Sequence, residues 1–388
     1  MKFVKNNENL EKYVDNIFTV VNMAKNDPDG INATAGCLYR EDGKMFTYDC
    51  VNEVEKNISA IQKASYAQSP AGNKDYIDTL SDFVLEDYIS NHHMSIAMPG
   101  GTGGLSTTIH MCLDKGDTII YPEIAWGNYK VIANEYNLNV VTYDVYDLDD
   151  LFNKIDSVEG KVFVIVNSPC QNPLGHSYTT DEWQKIMDKL NNTSRETILL
   201  CDIAYIDYAG GRAKEYFRLF NNISDNLLVA ISASCSKAFS YYGQRLGLLS
   251  IINNDQEFVE HFINLASRLA RATWSNLNNA GMLVIAEVLK NHIDEYKKEL
   301  SDAKAMLKRR VDLFVEQARE NELELYKFSD GFFVTVKMEN NDIRDQVHNR
   351  LIDEHIYTIK VNKGIRIGLC STSMDIVDGL SNKIKEFM

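Results

Sequence analysis

The chain has no apolar run approaching the ~20 residues of a membrane span, no repeat or low-complexity tract, no CxxC pair and no histidine at metal-ligand spacing from a cysteine. Basic residues are in deficit: 40 Lys and Arg face 55 Asp and Glu, a formal net charge of −15 at pH 7. A phosphate-backbone surface normally shows as a basic excess or stripe, so the balance argues against nucleic acid and for small molecules or another subunit as partners. The seven cysteines (Cys37, Cys50, Cys112, Cys170, Cys201, Cys235, Cys370) are odd in number and scattered. They read as reduced thiols, with no metal site and no disulfide framework expected. Met1 to Leu10 is polar and carries Lys and Glu, unlike a signal peptide, and the expected location is the cytoplasm.

What is present is an α/β pattern. At 388 residues the chain suggests two domains. Short apolar runs at Met94 to Met98, Asp117 to Tyr121, Asn139 to Val145, Lys161 to Val166, Thr197 to Cys201, Asn226 to Ile231 and Gly247 to Ile252 alternate with amphipathic helical stretches. They predict a mostly parallel seven-stranded sheet with helices on both faces. From Asn278 to about Glu320 the sequence is nearly free of Gly and Pro and reads as long helix. Beyond it, strands at Gly331 to Lys337 and Gly364 to Leu369 flank a helical stretch, Asn341 to Asp353, predicting a smaller α+β domain. The expected division is a large domain over 45–290 and a small one combining 1–44 with 291–388, the N-terminal segment packing on the small domain.

Ligands of such sheets bind beyond the carboxyl ends of the strands, and polar residues recur there. Lys237 follows the run Asn226 to Ile231 in Ser232-Ala-Ser234-Cys-Ser-Lys237, with Arg245 close behind. A desolvated lysine in a cation-rich pocket loses its proton readily and can hold an aldehyde covalently, while an arginine fork and the hydroxyls of Ser234 and Ser236 suit a phosphate. The alternative is a solvated surface loop. Met98-Pro-Gly100-Gly101-Thr102-Gly-Gly follows a strand and opens a helix, either as an anion cradle or as a plain connection. Trp126 lies past another strand, as a stacking platform or as core. Asn172 sits in an Asn-Pro turn and can donate to a phenolate. Asp202, at an apolar strand end, is either the partner of a cation such as a pyridinium or a helix cap, and Tyr205 follows three residues on.

Taken together, Gly100-Gly101-Thr102, Trp126-Gly-Asn128, Asn172-Pro-x-Gly175, Asp202-x-Ala-Tyr205, Ser234-x-x-Lys237 and Arg245 resemble, in order and spacing, the fold type I pyridoxal-phosphate aminotransferases, in particular the aspartate and aromatic branch. The resemblance runs from about Asn32 to Arg366. It implies that Lys237 carries pyridoxal 5'-phosphate as an aldimine and shuttles a proton, that Asp202 keeps the pyridine nitrogen protonated, and that Asn172 and Tyr205 bond the ring hydroxyl oxygen. Trp126 would stack on the ring, and Gly100, Gly101, Thr102, Ser234 and Arg245 would surround the phosphate, with Tyr66 reaching in from a second subunit of a homodimer. For substrate, the resemblance implies Arg366 on the α-carboxylate, Arg271 on a distal carboxylate across the dimer interface, and Gly36, Trp126 and Asn172 around the ligand.

The expected activity is amino transfer between an L-amino acid, aspartate or aromatic, and 2-oxoglutarate or glutamate. A β-lyase or an amino-acid decarboxylase on the same scaffold is the alternative. A non-catalytic cofactor-binding regulator is a third reading, but it would carry a DNA-binding module, and no basic stretch precedes residue 45. Five departures from the family pattern stand out. Tyr129 and Asn167 replace histidines near the pyridine-binding aspartate, Gly100 stands where serine is common, Leu277-Asn278 replaces Pro-Pro, and an extra residue lies between Tyr66 and Gly72.

Overall fold

A parallel sheet covered on both faces must bury every side chain of its central strands, which is why those strands read as unbroken apolar runs. The computed structural model describes residues 16–388; Met1 to Leu10, read above for a leader, lies outside them, as does the start of the N-terminal segment. After a two-residue strand β1 (Ile31–Asn32) come β2 (His93–Met98), β3 (Thr118–Pro122), β4 (Asn139–Tyr143), β5 (Val162–Asn167), β6 (Thr197–Asp202), β7 (Leu227–Ser234) and β8 (Gly247–Ile252). Strands β2 to β8 form one sheet in the order β2-β8-β7-β6-β5-β3-β4. Only β8 runs against its neighbours; the other pairs are parallel. Strands β5, β6 and β8 are buried at every residue. Alternate residues feed opposite faces, so Val162, Val164 and Val166 join one core while Phe163 and Ile165 join the other.

The predicted seven strands are therefore present, with small shifts at their ends. One shift matters. Strand β7 continues to Ser234, so Lys237 lies in the short helix Cys235–Ala238 that follows directly.

The predicted continuous helix from Asn278 to Glu320 is corrected to two, Asn279–Asn291 and Ile293–Glu320. His292 breaks it, with φ −131° and ψ 25°. The two helices pack on different layers: the first on the helices Asp49–Asn57 and Lys74–Leu85, the second on the C-terminal helices Met374–Val377 and Leu380–Glu386. Tertiary packing overrides propensity there, and Asn291-His292 is a weak helix-forming joint.

Strands β9 (Phe333–Lys337), β11 (Ile359–Val361) and β12 (Gly364–Gly368) form a second, antiparallel sheet in the order β11-β12-β9. The helix Asn341–Asp353 lies between β9 and the short strand β10 (Ile356–Tyr357), which pairs with β1 in parallel. That pairing draws residues 31–32 to the side of the small sheet. A buried arginine completes the attachment. Arg310, fully buried on the helix Ile293–Glu320, donates through Nε and Nη2 to Glu41 Oε1 at 3.0 and 2.7 Å, through Nη2 to the Tyr39 carbonyl at 2.9 Å and through Nη1 to the Cys370 carbonyl at 3.2 Å. Among the described residues no helix is long and apolar enough to cross a membrane, and no cluster of His, Cys, Asp or Glu is arranged to hold a metal ion.

Replacing Arg310 by methionine removes its bonds to Glu41 and to the Tyr39 and Cys370 carbonyls. The expected loss is on the order of 3 kcal/mol of unfolding free energy, read as a lower midpoint in chemical denaturation.

Candidate active site

Six chain segments deliver their polar residues to one edge of the large sheet. The ends of β2, β3, β5, β6 and β7 and the start of the antiparallel β8 converge on a cavity of about 180 Å³ lined by Gly101, Thr102, Trp126, Asn167, Asn172, Asp202, Tyr205, Ser234, Ser236, Lys237 and Arg245. A larger cleft of about 810 Å³ opens at the opposite ends of the strands, between Lys161, Glu196, Thr197 and the helix Gln256–Thr273. It holds none of the predicted site residues, so size alone does not mark the chemistry.

Lys237 Nζ donates to the Gly36 carbonyl at 2.5 Å and lies 4.8 Å from the centroid of the Tyr242 ring and 5.6 Å from that of Tyr205. Burial pushes its amine below the ordinary lysine value, and the charges of Arg366 and Arg245 act in the same direction. A lysine so placed supplies a neutral, nucleophilic nitrogen far more readily than a solvated one.

Asp202 ends β6 and is 5 % exposed. Its Oδ2 accepts from the Tyr129 hydroxyl at 2.7 Å and its Oδ1 from the Ala204 amide at 3.1 Å. Burial raises its proton affinity, and those two hydrogen bonds oppose the rise. No cation pairs with it among the described residues. Asn167, opposite Asp202 in the β5–β6 register, donates to the Asp202 carbonyl at 2.8 Å and accepts from the Asn172 amide at 2.9 Å. The two residues that depart from the family's histidines thus both bond around Asp202: Tyr129 at its carboxylate, Asn167 at its backbone. Asn172 in turn donates to Tyr205 Oη at 3.5 Å.

Opposite the acid, the helix Gly100–Cys112 points its N-terminus at the cavity, where free amides and the helix dipole favour an anion. Gly100 has φ +72°, and a Cβ there would stand 2.6 Å from Arg245 Nη2. This close approach explains glycine where the family often has serine: the missing side chain leaves room for the guanidinium. Arg245 Nη1 also donates to Ser236 Oγ at 3.3 Å and to the Tyr242 carbonyl at 2.9 Å, and Ser234 Oγ caps the Lys237 helix by accepting from the Ser236 amide.

Arg366, on β12, is buried. It donates to Asn172 Oδ1 at 3.2 Å and to the Thr34 carbonyl at 2.6 Å, and its guanidinium lies 4.2 Å from the Phe333 ring centroid. Its Nε has no hydrogen-bond partner among the described residues. Residues 32–38 form a strap held from below at several points: Lys237 to Gly36, Arg366 to Thr34, the Gly368 amide to Ala33, Cys370 Sγ to Ala35 and the Leu38 amide to Tyr242 Oη. Tyr242, Phe333 and Thr34 had no sequence motif to announce them, although Tyr242 stands in the segment that carries Lys237.

Two predicted residues lie apart from this cavity within the chain. Arg271 is exposed near the end of the helix Gln256–Thr273 and donates to Ser275 Oγ at 2.6 Å. Tyr66 is 89 % exposed, and its neighbour Ala67 donates its amide to Asn276 Oδ1 at 2.7 Å, which places Tyr66 and the Arg271 loop on one side of the molecule.

A lysine, an unpaired acid and an anion-ready helix end on one edge of an α/β sheet suit an enzyme built around a phosphorylated ring cofactor. A family model described as aminotransferase class I and II matches residues 28–384, and the chain belongs to that family of pyridoxal-phosphate-dependent transaminases. The chain is 27 % identical to the aromatic-amino-acid aminotransferase of Escherichia coli K12, over 71 % of this chain and 73 % of the relative. It is 28 % identical to the aspartate aminotransferase of the same organism, over 57 % and 58 %. The crystal structure of an aminotransferase from Anaerococcus prevotii superposes with a TM-score of 0.93 at 28 % identity, covering 100 % of this chain and 99 % of that one.

The residues present fit pyridoxal phosphate. The buried, uncompensated Asp202 suits a ring N–H, the helix end with Arg245 suits a phosphate, and the amine of Lys237 suits an aldehyde.

Two outcomes follow. Because burial lowers the folded-state value of Lys237, the unfolded chain binds this proton more tightly, so native stability falls as pH drops from about 10 toward the folded value, and the penalty is absent at higher pH. Lys237→Met should therefore raise the melting temperature of the apoprotein at neutral pH, with an advantage that shrinks as the pH rises. Gly100→Ala, at a positive φ, should cost about 1 kcal/mol of stability and weaken binding of inorganic phosphate, measured by calorimetry.

Proposed function

We propose that this transaminase moves an amino group between aspartate or an aromatic L-amino acid and 2-oxoglutarate in two half-reactions, as a cytoplasmic homodimer. The observation that carries this reading is the single cavity in which Lys237, Asp202 and Tyr205 meet, with Arg366 joined to it through Asn172. Bound pyridoxal phosphate supplies an electrophilic carbon for the amine and a ring that withdraws electrons from the substrate's α-carbon.

The chain's own residues do the rest. Lys237 Nζ would anchor the cofactor and then, once freed by the incoming amine, take the proton at the substrate α-carbon and return it to the cofactor's electrophilic carbon, two atoms along. Asp202 presents a carboxylate to the ring nitrogen, Asn172 and Tyr205 donate to the ring oxygen, and Trp126 covers the ring face. Gly100, Gly101, Thr102, Ser234 and Arg245 hold the phosphate. Arg366 grips the α-carboxylate with a planar fork that lysine does not reproduce, and Gly36 and the strap close over it. Closure of a small domain, 1–44 with 291–388, on a large one, 45–290, excludes water.

Exposure supports the dimer. Ile61 is 79 % and Tyr66 89 % exposed, as expected of surface that a second copy covers. On this reading Tyr66 completes the partner's phosphate site and Arg271 reaches the partner's substrate. The relatives named above for aromatic amino acids and for aspartate support the donor classes.

Spectral titration of the holoprotein with glutamate, aspartate and phenylalanine should convert the aldehyde form of the cofactor to the amine form with release of the 2-oxo acid. Lys237→Ala should abolish this while retaining the cofactor. Arg366→Lys should raise KM for every donor by roughly 10- to 100-fold, and Arg271→Ala should raise it for aspartate alone. Release of ammonia and pyruvate from a β-substituted donor without amino transfer would overturn the reading in favour of a lyase.

A further inference from the structure

An asparagine at a helix N-cap ordinarily turns its side chain back onto the first free amides of the helix. Asn73 holds that position for the helix Lys74–Leu85, is 2 % exposed, and makes no cap bond. Its Oδ1 accepts instead from the Gln68 amide at 2.8 Å, and its Nδ2 donates to Asn279 Oδ1 at 2.7 Å, across 206 residues of chain. Asn279 opens the helix Asn279–Asn291 and donates in turn to the Gln62 carbonyl at 2.9 Å. Two side-chain amides thus lock the segment 62–73, which carries Tyr66, to the start of the helix that follows the Arg271 loop.

A second link runs beside the first. Asn276 Oδ1 accepts from the amide of Ala67, the residue after Tyr66, at 2.7 Å, and Asn276 itself follows Ser275, whose Oγ accepts from Arg271 Nη1 at 2.6 Å. Asn278, which stands with Leu277 where the family has Pro-Pro, caps its helix by accepting from the Gly281 amide at 3.1 Å and donates to Gln244 Oε1 at 2.6 Å. Prolines stiffen a loop by fixing φ. Here directional hydrogen bonds between amides take their place.

We propose that Asn73 and Asn279 are positioning residues for the site of a second copy of this chain: their amide pair sets the Tyr66 segment and the Arg271 loop in one fixed relation, so that the phosphate contact and the distal-carboxylate contact reach the partner subunit together. This inference rests on the reading of Tyr66 and Arg271 as residues that cross a dimer interface.

An apolar pair at these positions would fill space without fixing a direction, whereas an amide that loses its partner in a buried setting costs more than the bond itself contributes. The extra residue between Tyr66 and Gly72 makes such a constraint useful. It is taken up in a turn, where the Gly72 amide donates to the Ser69 carbonyl at 3.1 Å and Ser69 Oγ to the Gly72 carbonyl at 2.9 Å, and Asn73 closes that turn by holding Gln68. Because the two amides act through one shared bond, removing either releases the same coupling.

The experiment determines kcat/KM for aspartate and for phenylalanine at saturating pyridoxal phosphate, and the dissociation constant of the cofactor, for the native holoenzyme, Asn73→Ala, Asn279→Ala, the double variant and Arg271→Ala. Expected for each single asparagine variant is a fall of about three- to tenfold in the aspartate value, with the phenylalanine value held within about twofold. Asn73→Ala, on the Tyr66 side, should thus disturb a preference set by Arg271, and Asn279→Ala, on the other side, should weaken the cofactor. The double variant should be no worse than either single one, and Asn279→Asp, which still accepts from Asn73, should recover part of the loss. If the single variants lower the melting temperature but leave the donor ratio and the cofactor constant at native values, if both donors lose alike, or if the losses multiply in the double variant, the proposal is overturned. If Arg271→Ala leaves the donor ratio unmoved, or the native holoenzyme sediments as a monomer, it is the shared-site reading that fails, and the proposal falls with it.

Discussion

A buried negative charge without a counter-ion organises this molecule. Asp202 stands at the end of a strand whose every residue is buried, and its carboxylate is met by a phenol and an amide but by no cation among the described residues. Neutral donors reduce the cost of desolvating a carboxylate without removing it. The arrangement is one that a ligand carrying a protonated ring nitrogen completes, so part of the binding energy is stored in the apoprotein as an unsatisfied electrostatic demand. The parallel strands make this possible, because their packed interior desolvates the strand end.

Positive groups on the other side of the cavity follow the same logic. Lys237 loses basicity to burial and to the nearby arginines, and Arg366 is buried with an Nε that has no hydrogen-bond partner among the described residues. Burial pushes the carboxylate and the amine alike toward neutrality, two hydrogen bonds opposing the change at the carboxylate, and the balance is set by environment alone. The chain as a whole is strongly acidic, yet Lys237 and Arg245 line the one cavity with Arg366 close by.

Much of this was legible in the sequence because a buried parallel strand is a short apolar run, and in this sheet class chemistry follows immediately after such runs. Gly100, Trp126, Asn172, Asp202 and Lys237 all sit within five residues of a strand's end, and the structure brings them to one edge. Features that depend on long-range contact or on the main chain were not legible. His292 splits a helix without a Gly or Pro to mark it. Tyr129 looks like core until its hydroxyl is seen to meet a strand end 73 residues away. The carbonyls of Thr34 and Gly36 leave no signature at all, although they meet Arg366 and Lys237. Arg271 and Tyr66 face outward, and their proposed roles lie on a partner.

The strap over residues 32–38 occupies both working cations at once, with peptide oxygens. On the proposed reading of Arg366, a substrate carboxylate competes with that neutral acceptor, and an ionised carboxylate wins because charge-assisted bonds to guanidinium outmatch those from an amide oxygen. Amides and esters of the same amino acids offer only what the strap already provides. The resting contacts thus work as an internal competitor that sets a threshold for admission, filtering by acceptor strength before any bond to the substrate is broken.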